Sequence, residues 1–171
     1  YLVIGMGIQG PKRAKIDKKN FVGYVDPFNK EADYKNILEV PLGIYNSAYV
    51  CTPDQNKVNI IKFLLKNKKN VLVEKPLLAI KNNTIKELYD LAKKNKTILY
   101  TAYNHRFEPY LKKVKELIKS NIIGKLYVCN IFYGNGTSML VKKSFWKDKS
   151  NGVITDLGSH LLDLINYLFP S

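Results

Sequence analysis

Residues 71–76 read Val-Leu-Val-Glu-Lys-Pro, and this stretch decides the fold that we predict. Both valines are β-branched and the run is apolar on both faces, as in an interior strand of a parallel sheet. Pro76 cannot donate a ladder hydrogen bond, so the strand should stop before it. Glu74 and Lys75 are therefore predicted at the carboxyl end of a strand, where open α/β sheets bind ligands. The alternative is a strand that ends in a solvated lysine.

A glycine-rich stretch lies earlier in the chain. Residues 5–10 read Gly-Met-Gly-Ile-Gln-Gly directly after an apolar run, and Asp26 ends the next apolar run, 16 positions after Gly10. Glycines permit a tight turn and the close approach of a pyrophosphate, and a carboxylate at this distance can accept hydrogen bonds from a ribose diol. The pattern predicts a dinucleotide site rather than a turn without a ligand. Asp26 favours NAD, since a carboxylate repels a 2′-phosphate, but basic residues near the turn leave NADP open.

Strands and helices alternate strictly through the first hundred residues. Further strands are predicted at residues 47–51 and 97–101, and helices at residues 58–65 and 82–94. The predicted core positions of the second helix are Ile85, Leu88, Leu91 and Ala92. This alternation predicts an α/β fold with a doubly wound parallel sheet in residues 1–102.

Residues 103–171 no longer show the strict alternation of strands and helices. We predict a helix at residues 108–120, a turn at 121–124, a strand at 125–133, a polar loop at 134–151 and a helix at 153–168. One strand and two helices cannot complete a sheet, so this part is predicted as the beginning of an α+β substrate domain. Both chain ends look cut, which suggests a truncated chain.

The last predicted helix carries three polar residues beside its apolar stripe. Asp156 and His160 are four positions apart, hence on one face of an α-helix, and Asp163 falls near that face. A carboxylate one turn before a histidine can fix its tautomer for acid–base chemistry. Two other interpretations remain: a structural histidine, or a pair of metal ligands that lacks a third. The predicted core stripe is Leu157, Leu161, Leu164, Ile165 and Leu168.

Composition excludes some classes of protein. The net charge of +14 comes almost wholly from lysine, with two arginines in the chain, and the lysines are scattered among asparagines rather than clustered with aromatic residues. We therefore predict no nucleic-acid partner. No run of 18 apolar residues occurs, so no membrane span is expected. Cys51 and Cys129 follow no metal spacing and are interpreted as reduced core thiols of a cytoplasmic protein.

Together these motifs resemble the Gfo/Idh/MocA oxidoreductases, the family of glucose–fructose oxidoreductase and inositol dehydrogenase. The matching stretches are residues 5–10, 26–27, 51–53, 74–76, 104–107 and 156–160. The stretch Tyr-Gly-Asn-Gly at residues 133–136 and the helix of Asp156 are most similar to the branch that acts on nucleotide-activated or other amino sugars. Lys57 stands where many members of the family have histidine.

The resemblance implies an NAD(P)-binding Rossmann domain followed by a substrate and oligomerisation domain, and a homo-oligomer when the chain is full length. The catalytic positions that it implies are Lys75, Asp156 and His160. The cofactor-binding positions are Gly5, Gly7, Ile8, Gln9, Gly10, Asp26, Thr52, Pro53 and Glu74. Asn104 and Arg106 are candidates for contact with the substrate, and no metal is expected.

The predicted function is hydride transfer between NAD, or less favourably NADP, and a secondary alcohol of a sugar, nucleotide sugar or polyol. In this hypothesis His160 is the base, Asp156 orients it, and Lys75 holds the substrate oxygen or is itself the acid–base group. The alternative is a non-catalytic NAD(P)-binding regulatory protein or an inactive fragment.

Overall fold

The structure, a computed structural model, describes residues 1–78, 83–134, 152 and 154–170. The chain divides into two compact units, Tyr1–Ala102 and Tyr103–Ser171. Within the part of the chain that the structure describes, no helix combines the length and apolar character needed to cross a membrane.

A parallel sheet of five strands forms the centre of the first unit, which confirms the predicted Rossmann fold class. The strands are β1 (Leu2–Ile4), β2 (Gly23–Val25), β3 (Ser47–Val50), β4 (Asn70–Val73) and β5 (Leu99–Thr101). Their order across the sheet is β2-β1-β3-β4-β5. As predicted, β4 is an interior strand, and both of its valines are buried.

The outer side of β2 carries a further parallel contact. Tyr34 forms an isolated bridge with Val25, its N–H donating to the Tyr24 carbonyl and its own carbonyl accepting from Asp26 N–H. If this bridge counts as a rudimentary strand, the sheet order becomes that of the dinucleotide-binding doubly wound fold. The point where strand order reverses then lies between β1 and β3, which is where such folds bind ligands.

Three helices accompany the sheet: α1 (Gly10–Ala14), α2 (Asp54–Lys66) and α3 (Thr84–Lys94). Helix α2 contributes Ile61, Leu64 and Leu65 to the core, all fully buried. On α3, Leu88 and Ala92 are buried as predicted, but the prediction for Ile85 was wrong, because its side chain is 44% exposed. Thr84 takes the buried position in that turn instead.

The second unit is helical in its described residues. A 3₁₀ turn (Asn104–Phe107) leads into α4 (Pro109–Lys119), and a π-helical turn (Ile154–Gly158) leads into α5 (Ser159–Leu168). The predicted turn at residues 121–124 is confirmed, with Gly124 N–H donating to the Asn121 carbonyl. The loop at residues 135–151 lies outside the described residues.

The strand predicted at residues 125–133 was wrong, because those residues form no regular structure. A strand needs a partner for its backbone groups, and none pairs with this segment among the described residues. Its apolar side chains, such as Val128 and Phe132, are largely exposed. The interpretation of Cys129 as a core thiol was wrong for the same reason, since it too is exposed.

The last helix also differs from its prediction. The first turn of the predicted helix is a π-helical turn (Ile154–Gly158) that contains Asp156, whereas His160 lies in α5. The buried face of α5 consists of His160, Asp163, Leu164 and Leu168, whereas Ile165 is exposed. Two polar side chains thus lie on the buried face rather than beside it.

Candidate functional site

Backbone hydrogen bonds align the carboxyl ends of the strands in the first unit. One residue past each strand, an N–H still donates to the neighbouring strand: Gly5 to Val25, Cys51 to Ile4, Glu74 to Val50 and Ala102 to Val73, over 2.7–2.9 Å. The residues that follow β1, β3 and β4 therefore begin at the same edge of the sheet, by which we mean the side formed by the carboxyl ends of its strands. The predicted cofactor positions after these strands share that edge.

The glycines of the turn after β1 meet different surroundings. Gly5 has a positive φ of 96°, and a Cβ there would lie 2.9 Å from the Cys51 carbonyl carbon. A Cβ on Gly10 would lie 2.0 Å from the Gly5 carbonyl oxygen. A Cβ on Gly7, in contrast, would have no atom of the described residues within 4 Å. Gly5 and Gly10 are required by the turn itself, whereas the described residues leave the space beside Gly7 open.

The carboxylate of Asp26 braces this turn. Its Oδ2 accepts from Met6 N–H at 2.7 Å, and its Oδ1 accepts from Phe28 N–H at 2.9 Å and Asn29 N–H at 3.0 Å. Burial of the carboxyl raises the pKa of Asp26, but these hydrogen bonds and the charge of Lys35 outweigh it, so the pKa lies below its ordinary value. A carboxylate has about four acceptor positions, so three backbone bonds leave room for one ribose hydroxyl.

The segment after β3 carries an orphaned polar atom. The Thr52 hydroxyl is buried and has no hydrogen-bond partner among the described residues. Such a group costs free energy unless a ligand or water satisfies it. Next to it, burial and the charge of Glu74 raise the pKa of the Cys51 thiol to about 12, so this cysteine is a neutral wall of the site. The open space at Gly7 and the Thr52 hydroxyl both fit a nucleotide cofactor at this edge.

The Glu-Lys-Pro segment after β4 is tied to two helices. Glu74 Oε1 accepts from Arg13 Nε of α1 at 2.6 Å. The buried Lys57 of α2 donates from Nζ to the Pro76 carbonyl at 3.0 Å, and the Lys75–Pro76 peptide bond is cis. Lys75 is half-buried at the same edge. Sequence reasoning missed both tethers; for Lys57 it noted only that many members of the similar family have histidine at this position.

In the second unit, an ion pair joins the 3₁₀ turn to α5. Arg106 donates from Nε and Nη2 to the two carboxylate oxygens of Asp163 at 2.7 and 2.5 Å. The Asp163 side chain is 8% exposed and that of Arg106 33% exposed. The guanidinium predicted to contact substrate therefore neutralises a buried carboxylate. Asn104, the other predicted substrate contact, is exposed at the start of the turn.

Aromatic rings surround His160 on α5. Its imidazole meets the rings of His105, Tyr103 and Tyr133 edge-on, with centroids 4.7, 5.7 and 6.0 Å away. Burial raises the pKa of the Tyr103 hydroxyl, although its hydrogen bond with Ser159 acts in the opposite direction. His160 is 6% exposed, so its ring is held in a defined orientation.

The sequence motifs include His105 and Tyr133 but give them no individual role, and they do not include Glu108. His105 Nδ1 forms a short hydrogen bond with Glu108 Oε1, and its Nε2 lies 3.1 Å from the Tyr133 hydroxyl. The spacing of three residues between His105 and Glu108 was a usable signal, since it places the two side chains together at the start of a helix. The contact with Tyr133 was not predictable from spacing.

Gly158 and Asp156 lie in the π-helical turn. A Cβ on Gly158 would meet Ile154 Cγ2 at 3.6 Å, an ordinary contact, so the described residues do not require glycine there. Asp156 is half-buried, and its carbonyl accepts from the Ser159 hydroxyl at 3.3 Å. A search of the described residues for three or more clustered histidine, cysteine or acidic side chains finds no candidate metal centre.

Comparison with known proteins assigns both parts of the chain. Residues 1–103 match the model of an oxidoreductase family with an NAD-binding Rossmann fold, and residues 111–171 match the GFO/IDH/MocA C-terminal domain. Glucose-6-phosphate 3-dehydrogenase of Bacillus subtilis is 28% identical over 162 residues, which cover 91% of this chain and 45% of that protein. Myo-inositol 2-dehydrogenase of Thermotoga maritima is 27% identical over 72% of this chain and 36% of its own.

Solved structures share the fold. An inositol dehydrogenase homologue from Azotobacter vinelandii, complexed with NADH and myo-inositol, has a TM-score of 0.78 at 19% identity over 99% of this chain and 52% of its own. The WlbA dehydrogenase of Thermus thermophilus, complexed with NAD and UDP-GlcNAcA, has a TM-score of 0.71 at 22% identity over 98% and 62%. The chain spans less than half of the length of the curated relatives named above. With both of its parts matched, the chain belongs to the Gfo/Idh/MocA oxidoreductase family, whose N-terminal part is an NAD-binding Rossmann fold.

Proposed function

We propose that this protein is an NAD-dependent oxidoreductase that oxidises a secondary alcohol of a sugar, nucleotide sugar or polyol. The observation that carries the proposal is the open space at Gly7, in a turn whose other two glycines are sterically required. In a G-x-G-x-x-G turn the second glycine lets the backbone approach a pyrophosphate, and the open space at Gly7 supports that role here. Family membership supports the same conclusion.

The cofactor would lie along the edge after β1, β2, β3 and β4. In the proposal the turn Gly5–Gly10, including Ile8 and Gln9, receives the pyrophosphate, and Asp26 Oδ2 accepts a ribose hydroxyl. The unsatisfied Thr52 hydroxyl beside Pro53 supplies a further polar contact. Glu74 belongs to the same edge, where its carboxylate is held by Arg13.

The choice of NAD over NADP is part of the proposal. The Asp26 carboxylate lies where a 2′-phosphate would have to fit, and like charges repel. Arg13, one of the cations near the turn that would favour a phosphate, already bonds to Glu74. Both features favour the cofactor without the extra phosphate.

The reaction needs one group to remove the alcohol proton and another to stabilise the oxygen. When bound, the nicotinamide accepts the hydride. We assign the proton to the Nε2 or Nδ1 lone pair of His160, because imidazole exchanges protons near neutral pH and this ring is held firmly. In this assignment Asp156 orients the His160 ring. Lys75 stabilises the negative charge that develops on the substrate oxygen.

The proposed substrate class, a sugar, nucleotide sugar or polyol, is taken from the names of the relatives. Two of them are named for glucose 6-phosphate and myo-inositol, and one was solved with a UDP-linked sugar acid. Asn104 remains a candidate for contact with a substrate hydroxyl. Arg106 is reassigned from binding substrate to holding α5, because Asp163 engages its guanidinium bidentately.

We further propose that the protein is cytoplasmic and forms a homo-oligomer. Two free cysteines are typical of a reducing compartment, which favours the cytoplasm. Exposed apolar side chains in residues 122–132 favour a homo-oligomer.

The test is NAD reduction, followed by absorbance, with myo-inositol, glucose 6-phosphate and a UDP-linked sugar acid as substrates. We expect turnover with one of them, and a loss of at least a hundredfold in kcat for His160→Ala and for Lys75→Ala. Glu116→Gln, an exposed change on α4, should not alter turnover. A folded chain that binds NADH but reduces NAD with none of these compounds would contradict the proposal and favour a non-catalytic NAD-binding protein.

A further inference from the structure

We propose that His105 is a positioning residue for His160: Glu108 fixes the tautomer of His105, and His105 then holds the His160 ring and the Tyr133 hydroxyl in place. This inference rests on the proposed function, in which His160 is the base. It gives a role to three residues: His105 and Tyr133, which the motifs include without a role, and Glu108, which they do not include.

The first step is the anchoring of His105 by Glu108. Glu108 N–H donates to the His105 carbonyl at 3.1 Å, which closes the 3₁₀ turn, and the Glu108 carboxylate bonds to His105 Nδ1. Glu108 occupies the position before α4, but its side chain makes no capping hydrogen bond to that helix. The carboxylate is therefore used for the imidazole, not for the helix.

The second step is the tautomer. An ionised carboxylate only accepts hydrogen bonds, so the proton of a neutral His105 must lie on Nδ1. Nε2 then carries a lone pair, and the Tyr133 hydroxyl at 3.1 Å is the donor to it. In water a neutral histidine is not fixed in this tautomer. In a protein, the hydrogen bond made by one ring nitrogen determines whether the other nitrogen is protonated.

The third step is the contact with the proposed base. The His105 ring lies against His160 with centroids 4.7 Å apart and planes at 68°, and against Tyr133 at 5.1 Å and 85°. Edge-to-face contacts of this kind fix ring orientation. Since a base must point its lone pair at the proton it removes, the loss of this support should reduce the rate more than the binding of cofactor.

The chain offers a direct spectroscopic test, because it contains two histidines in all. Nitrogen-15 NMR of the imidazoles, at pH 8 in the purified chain, distinguishes protonated from unprotonated ring nitrogens at both sites, and His105→Gln assigns the signals. We expect His105 to carry its proton on Nδ1. In Glu108→Ala that preference should be lost and the His160 signals should shift, whereas Glu108→Gln, which keeps an acceptor oxygen, should restore both in large part.

The matched control is Glu116→Gln, which removes an exposed carboxylate on α4 that pairs with Lys113 at 3.4 Å. It should leave both imidazoles unchanged. In the turnover assay, Glu108→Ala and His105→Leu should lower kcat at least tenfold while KM for NAD stays within twofold. We expect the Glu108→Ala variant to remain folded, as its amide NMR spectrum will show, because the Glu108 side chain is 47% exposed. The loss in kcat should therefore not come from unfolding.

Two results would overturn the inference: a wild-type His105 with its proton on Nε2, or His160 signals that do not respond to Glu108→Ala. Both are read without turnover. A chain with the expected tautomer that oxidises no alcohol would refute the proposed function and, with it, a catalytic purpose for the positioning. A chain that turns over substrate but shows either of the two contrary NMR results would refute the inference alone.

Discussion

Gly7 and Gly10 lie three residues apart in one turn, yet the space around them differs. A side chain on Gly10 would collide with the Gly5 carbonyl oxygen, whereas one on Gly7 would meet no described atom within 4 Å. We therefore expect Gly7→Ala to leave the free energy of unfolding within about 0.5 kcal/mol of wild type. NADH affinity should fall at least tenfold, because the methyl group occupies the space of the pyrophosphate. Urea unfolding and a fluorescence titration measure the two effects.

Gly10→Ala is the matched comparison. It should cost several kcal/mol or prevent folding, since the contact at 2.0 Å is with backbone. A Gly7→Ala variant that binds NADH as well as wild type would show that the turn serves the fold alone.

Asp26 predicts a dependence of stability on pH. Its pKa lies below its ordinary value of 3.8 in the folded chain, since backbone hydrogen bonds outweigh the effect of burial. A lowered pKa means that the ionised carboxylate stabilises the fold above the unfolded value, and that this contribution is lost as pH falls through the folded pKa. We expect stability in urea to drop as the pH is lowered below that ordinary value and through the lowered pKa, and to drop less in Asp26→Asn. Equal pH dependence in both proteins would contradict the role of Asp26 as a brace.

An ion pair joins helix α5 to the 3₁₀ turn before α4. Asp163 lies on the buried face of this helix and is neutralised by Arg106. Removing one partner of a buried pair leaves an uncompensated charge, and partial exposure of the guanidinium reduces the cost. We expect Asp163→Ala to destabilise α5 by about 2 kcal/mol, or about thirtyfold faster amide exchange in residues 159–168.

Hydrogen-exchange mass spectrometry measures this change directly. Glu116→Gln breaks an exposed pair and should alter exchange by less than twofold. If Asp163→Ala exchanged as slowly as wild type, the pair would not be what holds the helix.

Sequence patterns predicted the elements of the first unit well because strict β/α alternation has few topological solutions. The predictions were wrong where burial or strand formation depends on packing partners from other parts of the chain. Ile85 and Ile165 fit a helical stripe but are exposed, whereas Thr84, beside Ile85, and Asp163, two residues before Ile165, are buried. Residues 125–133 have the composition of a strand, yet a strand exists only with a partner, and the described residues supply none.

The candidate site was predictable to a different degree in each unit. In the first, the glycine turn, Asp26 and the Glu-Lys-Pro segment are contiguous motifs with a local physical reason. In the second, the ring of His105 and Tyr133 around His160 joins residues that are 28 and 27 positions apart, and no local pattern encodes such contacts. The π-helical turn was also unpredictable, since its sequence satisfies an ordinary helix equally well.

For the whole molecule, exposed apolar surface in the second unit predicts self-association. Ile122, Tyr127, Val128 and Phe132 are between 74% and 95% exposed. Apolar surface of this kind marks an interaction site or an aggregation liability. We expect sedimentation at about 100 μM, a concentration at which weak interfaces form, to show dimers or larger species, and the double variant Val128→Ser/Phe132→Ser to shift them toward monomer. A monomer at that concentration would contradict this expectation.

In the proposed function the chain binds NAD at the carboxyl ends of the strands of its parallel sheet. The most direct measurement is a titration of the purified chain with NADH and with NADPH, followed by nicotinamide fluorescence, with circular dichroism to establish that the chain is folded. We expect saturable binding of NADH that is at least tenfold tighter than that of NADPH, because Asp26 excludes the 2′-phosphate. A folded chain that binds neither cofactor would contradict the account.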